Sequence, residues 1–158
     1  MILTSYRLVQ RQLVKNAFDG EGARKYGGRW NPQGVRVVYT ASSLSLAALE
    51  LLAHLESRAV LEHRYAFIAA QFSSSLCLKL EDFARLPPKW FQDPPPRAVT
   101  SLGARWVREQ SSAILSVPSS IVPAERNYLL NPAHPDFRQI TLAPAKVFAF
   151  DPRLIKVF

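Results

Sequence analysis

Arg29, Tyr39 and Glu50 are the residues whose types and settings point most directly to chemistry in this chain. Arg29 follows two glycines, where a backbone without side chains lets a ligand come close. Its planar guanidinium can donate two parallel hydrogen bonds to a phosphate. Tyr39 ends an apolar run, and its ring can stack on a flat heteroaromatic ring. Together with the carboxylate of Glu50, these groups suit a ligand that carries phosphates, an aromatic ring and a sugar.

Glu50 is the most informative of the three, because it belongs to a predicted helix that is otherwise almost entirely apolar. Its neighbours one helical turn away are Leu46, Ala47, Ala53 and His54. A carboxylate in apolar surroundings costs several kcal/mol unless it is paired or hydrogen-bonded. Glu50 therefore serves a substrate or an internal partner such as an arginine or His54, unless the helix is rotated so that the carboxylate reaches water.

The other candidates have ordinary structural interpretations as well. Arg29 can be a surface arginine stacked on Trp30, and Tyr39 can be a half-buried strand residue. Ser119 lies between two prolines, where most serines close turns. The polar residues that follow are expected in turns or caps, although any one of them can line the site: Glu125, Asn127, Asn131 and His134.

Several kinds of catalytic site are disfavoured. The three histidines (His54, His63 and His134) have no metal-ligand spacing, and the single cysteine, Cys77, excludes a multi-cysteine zinc site. Neither the G-x-S-x-G motif of serine hydrolases nor a glycine-rich phosphate loop of known spacing occurs. Hydrolases that use a nucleophilic serine or cysteine are therefore disfavoured.

The charge and length of the chain narrow its class but do not identify a ligand. A chain of 158 residues with 48% hydrophobic residues can bury a core as a single domain. We expect a soluble intracellular protein, because no segment approaches membrane-spanning length. The net charge of +8 favours anionic partners. A nucleic-acid-binding module is therefore a competing interpretation.

The elements that would position these residues form a mixed α+β pattern. The β-branched run VRVVYT at 35–40 predicts a strand, and strands are also predicted over residues 2–9, 65–72, 76–80, 113–117 and 146–150. Helices are predicted over residues 46–55, capped by Ser42, Ser43 or Ser45, and over residues 101–110. The first of these helices is apolar all round and is therefore expected to be buried. The remaining segments are predicted as a mobile or ligand-facing loop (16–34), a Pro-rich crossover (87–96) and a polar connection (118–135).

The order of several short motifs resembles the RES-domain family, the toxins of bacterial toxin–antitoxin pairs. The matching segments are GRWN at 28–31, VYT at 38–40, ALE at 48–50, VPS at 117–119 and NYLLNP at 127–132. Each motif is weak alone, but together they span most of the chain, with no departure at the Arg, Tyr, Glu and Ser positions. A single RES domain over residues 1–158 is therefore expected.

The resemblance implies a compact α+β domain with small mixed or antiparallel sheets, similar to ADP-ribosyltransferase toxins. It also implies NAD as substrate, with no further cofactor and no metal, and cleavage of the nicotinamide–ribose bond. The implied partner is an Xre-like antitoxin whose tail blocks the site. The toxin would contact nucleic acid only through that antitoxin, and it would not bind a membrane. Formation of a homodimer is possible under this resemblance.

On this hypothesis, Glu50 stabilises the positive charge that develops on the ribose, and Arg29 binds the pyrophosphate. Tyr39 stacks near the nicotinamide, while Ser119 and Asn131 complete the polar contacts of the ligand. Glu50, Arg29 and Tyr39 are the expected catalytic residues. A protein-modifying ADP-ribosyltransferase would use the same site with another acceptor, and the sequence alone does not separate the two.

Overall fold

The fold is built on eight strands, seen in a computed structural model that describes residues 1–55 and 57–155. β-branched and aromatic residues form the majority of β2 and β8, as expected for side chains that pack on a pleated surface. The strands are β1 (Ile2–Gln10), β2 (Val38–Ala41), β3 (Tyr65–Ser73), β4 (Cys77–Lys79), β5 (Ile114–Pro118), β6 (Arg126–Leu130), β7 (Thr141–Leu142) and β8 (Lys146–Phe148).

Two longer helices and several short ones connect these strands. The α-helices are α1 (Glu21–Tyr26), α2 (Leu44–Ala53), α3 (Leu80–Phe83), α4 (Arg97–Glu109) and α5 (Pro152–Ile155). Short 3₁₀ helices occur at Arg11–Asn16, Arg58–Glu62, Ser74–Leu76 and Pro135–Gln139. No helix in the described part of the chain is long and apolar enough to span a bilayer.

The strands form one sheet in the order β4-β5-β6-β2-β1-β3-β7, and β8 also pairs with β3. All pairs are antiparallel except β4 with β5. Tyr6 and Ala41 form the single registered pair between β1 and β2, whereas β1 and β3 pair along their whole length. The sheet is thus two halves that meet at one point and separate beyond it.

One face of the sheet carries two packed groups of helices. Trp106 of α4, fully buried, lies with Leu115 and Leu129 in the core of one half. Leu46 and Ala47 of α2 pack with Leu8 and Ala41 in the core of the other. Full burial of a leucine such as Leu46 contributes about 1.5–3 kcal/mol, so apolar packing fixes α2 against the sheet.

The structure confirms the predicted α+β class and each predicted strand within a few residues. The expectation for residues 118–135 was wrong, because Arg126–Leu130 forms β6 between β5 and β2. Its sequence RNYLL shows little polar–apolar alternation, so it gave a weak strand signal. The loop prediction for residues 16–34 was also incomplete, since Glu21–Tyr26 forms helix α1.

Helix α2 begins as predicted but is not buried all round. Ser43 caps it by accepting a hydrogen bond from the Leu46 backbone N–H at 3.0 Å. Leu49 is 43% exposed, and Ser45 and Ala53 also face outward. The prediction of a fully buried helix was wrong because an apolar composition does not require packing on every side of a helix. In this structure α2 packs on the sheet through one side.

Candidate active site

The candidate site lies where the two helical groups meet on the sheet. Tyr39 packs against the α4 core, whereas Ala41, two residues further along β2, belongs to the α2 core. Both side chains are on the same face because strand residues alternate. Opposite them on β6 are Leu129 and Asn127. This part of β2 and β6 therefore lies beneath the boundary between the two groups of helices.

Glu50 is half-buried, and its carboxylate is held by two donors at this boundary. Ser119 Oγ and Asn127 Nδ2 both donate to Glu50 Oε1, each at 2.7 Å. Within residues 1–55 and 57–155, Oε2 receives no hydrogen bond. The two donors thus fix the carboxylate through one oxygen and leave the other available to a ligand. The alternative pairing with His54 does not occur, because its Nδ1 contacts the Glu50 backbone oxygen at 2.6 Å.

Ser119 supports Glu50 from a fully buried position. Besides donating to Glu50, its hydroxyl accepts hydrogen bonds from the backbone N–H groups of Ile121 and Val122, both at 3.1 Å. These bonds use its one donor and both acceptor sites. Ser119 is therefore engaged with the protein, and its role is to orient Glu50 and order the loop after β5.

Tyr39 is the hub of a second network. Its hydroxyl donates to Asn31 Oδ1 at 2.5 Å and accepts from the Trp30 backbone N–H at 3.0 Å. Asn31 is buried, and its amide donates to the carbonyls of Ala23, Pro32 and Val35. The Tyr39 hydroxyl thus anchors the GRWN segment by its main chain.

Gly28 is required by this network rather than by a ligand. A Cβ at Gly28 would lie 2.6 Å from the Tyr39 hydroxyl oxygen and 2.9 Å from Asn31 Oδ1. Because real Cβ atoms do not come so close, any side chain at Gly28 would displace the phenol. The close approach that the glycine pair predicted is therefore to Tyr39.

Arg29 extends from the same segment to the Pro-rich crossover. One guanidinium nitrogen, Nη1, donates to the Trp90 carbonyl at 2.9 Å and to the Gln92 carbonyl at 2.7 Å. Nε and Nη2 have no hydrogen-bond partner within the described residues. The guanidinium is thus fixed by one edge and retains donors for an anion.

Tyr39 remains a neutral phenol in this setting. Burial raises its pKa above the ordinary range, while the Trp30 N–H and the positive charge of nearby Arg29 act in the opposite direction. Desolvation dominates, so the hydroxyl stays a proton donor at neutral pH.

Arg7 is a second arginine at the boundary, at the point where β1 and β2 separate. Its Nη1 donates to the Tyr39 carbonyl at 2.9 Å, and its Nε is buried without a partner in the described part of the chain. Desolvation lowers the pKa of Arg7 to about 10, although Asp19 acts against this. Arg7 therefore stays charged at neutral pH, in a place where water does not fully solvate it.

Glu50 is hydrogen-bonded to Asn127, a diagonal neighbour of Tyr39, and Tyr39 binds the segment that carries Arg29, whereas Asn131 lies elsewhere. Asn131 lies just past the opposite end of β6 from Asn127, about 13 Å along the strand. Its Oδ1 accepts from the Ala133 N–H at 3.0 Å, and its buried Nδ2 has no partner among the described residues. Its expected ligand contact is thus not supported by proximity to Glu50.

Sequence reasoning missed Arg7, and it named Asn127 only among four turn or cap residues of which any one can line the site. Arg7 is one of many arginines in a basic chain, and only the separation of β1 from β2 distinguishes it. Asn127 was expected in a turn or cap because β6 was not recognised. The Asn-Tyr pair at the start of β6 was the available signal for a strand. It could not indicate the contact with Glu50, because Glu50 on α2 is 77 residues from Asn127 in the sequence.

A cavity of about 550 Å³ lies elsewhere on the same face, beside the N-terminus of α2. Its lining includes Tyr6, Ser43, Phe67 and Lys146, and none of the predicted site residues. The site around Glu50 is therefore defined by its hydrogen bonds and charges.

The fold and this site define a class of protein, and comparison with known sequences identifies it. The RES domain family matches residues 4–151. The chain is 40% identical over 151 residues to Toxin Res of Yersinia enterocolitica, covering 94% of this chain and 97% of that protein. It is also 40% identical over 140 residues to the Prs ADP-ribosylating toxin of a Sphingobium strain, covering 87% and 86%. The chain therefore belongs to the RES domain family of toxins.

A solved structure supports the same fold. The M. tuberculosis MbcT-MbcA toxin–antitoxin complex contains a chain that superposes with a TM-score of 0.73. The match covers 99% of this chain and 88% of that one, at 19% sequence identity. At this identity the likeness establishes the fold alone.

Proposed function

We propose that this toxin depletes NAD by cleaving the bond between nicotinamide and ribose, with water or phosphate as the acceptor. Departure of nicotinamide leaves an oxocarbenium-like ribose whose positive charge must be stabilised. An oriented carboxylate is the group best suited to that task. The proposal therefore depends chiefly on the geometry of Glu50.

The single observation that carries the proposal is the double hydrogen bond to Glu50 Oε1. Because Ser119 and Asn127 bind the same oxygen, the orientation of the carboxylate is set before any ligand arrives. Oε2 is then the acceptor for a ribose hydroxyl, and its negative charge faces the developing cation. Preorganisation of this kind lowers the barrier because the protein does not reorganise during the reaction.

Two guanidinium groups suit the pyrophosphate. Arg29 has Nε and Nη2 available, which can form the parallel pair of bonds that phosphate oxygens accept. Arg7 carries a buried charge without a salt bridge in the described part of the chain, a state that an anionic ligand would relieve. We assign binding of the pyrophosphate to Arg29 and long-range electrostatic support to Arg7.

Tyr39 contributes its ring rather than acid–base chemistry. Its hydroxyl is used by Asn31 and Trp30, and the raised pKa keeps it neutral. We therefore assign it a position beside the nicotinamide ring, where aromatic rings stack favourably. No general acid is needed, because nicotinamide neutralises its own ring nitrogen as it leaves.

Product analysis tests this proposal directly. Purified protein is incubated with NAD, with and without phosphate, and the products are separated by chromatography. We expect nicotinamide together with ADP-ribose in water, or with ADP-ribose 1″-phosphate when phosphate is the acceptor. Quantitative recovery of intact NAD, with protein whose fold is verified by circular dichroism, would refute the proposal.

A second reaction at the same site is favoured by one relative, which is named an ADP-ribosylating toxin. In that reaction a protein side chain would replace water as the acceptor. Incubation of a cell extract with NAD and the toxin, followed by mass spectrometry, distinguishes the two. A protein modified in proportion to the nicotinamide released would favour transfer, and free ADP-ribose would favour hydrolysis.

We also propose that an Xre-like antitoxin binds this toxin and blocks the site. The solved relative was crystallised as a toxin–antitoxin complex, and the net charge of +8 suits an acidic partner segment. Co-expression should then restore growth and NAD levels, and the two proteins should co-purify. Growth that stays arrested despite co-purification would contradict blockage of the site.

A further inference from the structure

Phe91 is an exposed aromatic residue beside the arginine that we assign to the pyrophosphate. Its side chain is 56% exposed, which is unusual for a phenylalanine. The two carbonyls that accept hydrogen bonds from Arg29 Nη1 belong to Trp90 and Gln92, the residues on either side of it. Arg29 thus fixes the backbone that presents the Phe91 ring.

The ring is supported by an edge contact with Trp90. Phe91 and Trp90 are in T-shaped contact, with centroids 6.1 Å apart and planes at 84°. Trp90 in turn packs on buried Trp30, with centroids 6.1 Å apart. An edge contact leaves at least one face of Phe91 uncovered, and the supporting tryptophans limit its movement. Such a ring is a ready platform for a second flat ring.

The contacts place the site residues in a linear order. Asn127 joins Glu50 to the Tyr39 region, since Asn127 and Tyr39 are diagonal neighbours on paired strands, about 7–8 Å apart. The Tyr39 hydroxyl binds the Trp30 N–H, next to Arg29, and Arg29 binds both neighbours of Phe91. In NAD the pyrophosphate joins the nicotinamide riboside half to adenosine. If the nicotinamide riboside lies at Glu50 and Tyr39 and the pyrophosphate at Arg29, adenosine extends to the Phe91 side of Arg29.

We infer that Phe91 stacks on the adenine ring and so selects dinucleotides over substrates without a purine. This inference rests on the proposed binding of the pyrophosphate by Arg29. An apolar contact of any shape would not suffice, because stacking requires a flat ring. Base–aromatic stacking is worth about 1–3 kcal/mol per base, so loss of the ring should weaken binding roughly tenfold.

The first experiment measures binding without turnover. Titration calorimetry with ADP-ribose compares the wild type with Phe91→Leu, which keeps apolar volume but loses the flat ring, and with Phe91→Tyr, which keeps the ring. Leu142→Ala, at an exposed apolar residue on β7, controls for loss of surface area. We expect about tenfold weaker binding for Phe91→Leu only. An unchanged Kd in Phe91→Leu, or no binding by the wild type, would overturn the inference.

The second experiment uses two substrates that differ by the adenosine half. With NAD, Phe91→Leu should raise KM about tenfold with kcat nearly unchanged. With nicotinamide mononucleotide, which has no purine, it should match the wild type. Equal effects on both substrates would overturn the inference. If the wild type binds ADP-ribose in a Phe91-dependent manner yet cleaves neither substrate, the proposed function fails and the adenine contact stands.

Discussion

Asn127 Nδ2 donates a 2.7 Å hydrogen bond to Glu50 Oε1, which joins the middle of the sheet to helix α2 across 77 positions of sequence. Asn127 lies opposite Ala41 in the ladder, and Ala41 packs beneath α2. The orientation of the carboxylate is therefore determined by the pairing of β2 with β6. A change that shifts the pairing of β2 with β6 should therefore alter the orientation of the Glu50 carboxylate.

Replacement of Glu50 by glutamine should nearly abolish turnover and preserve the fold. The Gln amide oxygen can still accept from Ser119 and Asn127, so the orientation is kept while the atom facing the ligand becomes a donor. Loss of a preorganised charge-stabilising contact costs about 10²–10³ in kcat. Initial rates of nicotinamide release measure this effect. Glu109→Gln, on the surface of α4, is the matched control and should be fully active.

Removal of either donor to Glu50 should reduce kcat more than it changes KM. Asn127→Ala and Ser119→Ala each leave one hydrogen bond on Oε1, and a bond to a charged group is worth about 1.5–3 kcal/mol. We expect a loss of roughly tenfold in kcat for each. Asn127→Asp keeps the shape but sets two carboxylates together, so it should be less active than Asn127→Ala. Equal activity of the two would show that Asn127 does not act through Glu50.

Tyr39→Phe should destabilise the GRWN segment, because the Trp30 N–H loses its acceptor. The expected loss is about 1–3 kcal/mol in the free energy of unfolding. The folded-state pKa of Tyr39 is raised, so its stabilising contribution is complete below about pH 10 and is lost as the pH rises toward the folded-state value. Urea unfolding at a series of pH values measures this. The difference between wild type and Tyr39→Phe should shrink only in the alkaline range, and a constant difference would contradict the burial of the phenol.

Gly103→Ala should be strongly destabilising, although alanine favours helices. A Cβ at Gly103 of α4 would lie 1.5 Å from the Trp30 carbonyl oxygen, so the helix would have to move away from the segment that carries Arg29. Such overpacking costs about 1–3 kcal/mol or more. Gly22→Ala on α1, where nothing lies within 4 Å, is the control and should be neutral or slightly stabilising. Thermal unfolding of the two variants measures the contrast.

Arg7→Met should weaken the interaction with NAD while leaving the free energy of unfolding nearly unchanged. The variant keeps an unbranched side chain but removes a buried charge that costs free energy to desolvate. We expect KM for NAD to rise about three- to fivefold, because a positive charge that attracts the pyrophosphate from a distance is removed. The free energy of unfolding should change by less than about 1 kcal/mol, because the lost bond to the Tyr39 carbonyl is offset by the removed desolvation cost. An unchanged KM would assign Arg7 a structural role alone.

The local sequence determined the elements and the three central residues of the site. Short runs bounded by polar segments predicted the long strands β1 and β3 from residues 2–9 and 65–72, and the serines at 42, 43 and 45 predicted the start of α2, because these signals act over a few residues. Arg29, Tyr39 and Glu50 were identifiable because each is chemically unusual for its segment. Their roles toward NAD remain proposals for the experiments above.

Only the tertiary structure decided how Glu50 is held and what surrounds Arg29. Asn127, Ser119 and Arg7 join the site through contacts that cross strand pairs or join strands to a helix, and no local pattern encodes such pairings. The same holds for Phe91. The Pro-rich crossover brings it to Arg29 because Arg29 binds the carbonyl of Gln92, which is 63 positions away in the sequence. Short-range propensities choose helices and strands, whereas burial and hydrogen-bond satisfaction over the whole chain choose which polar groups meet.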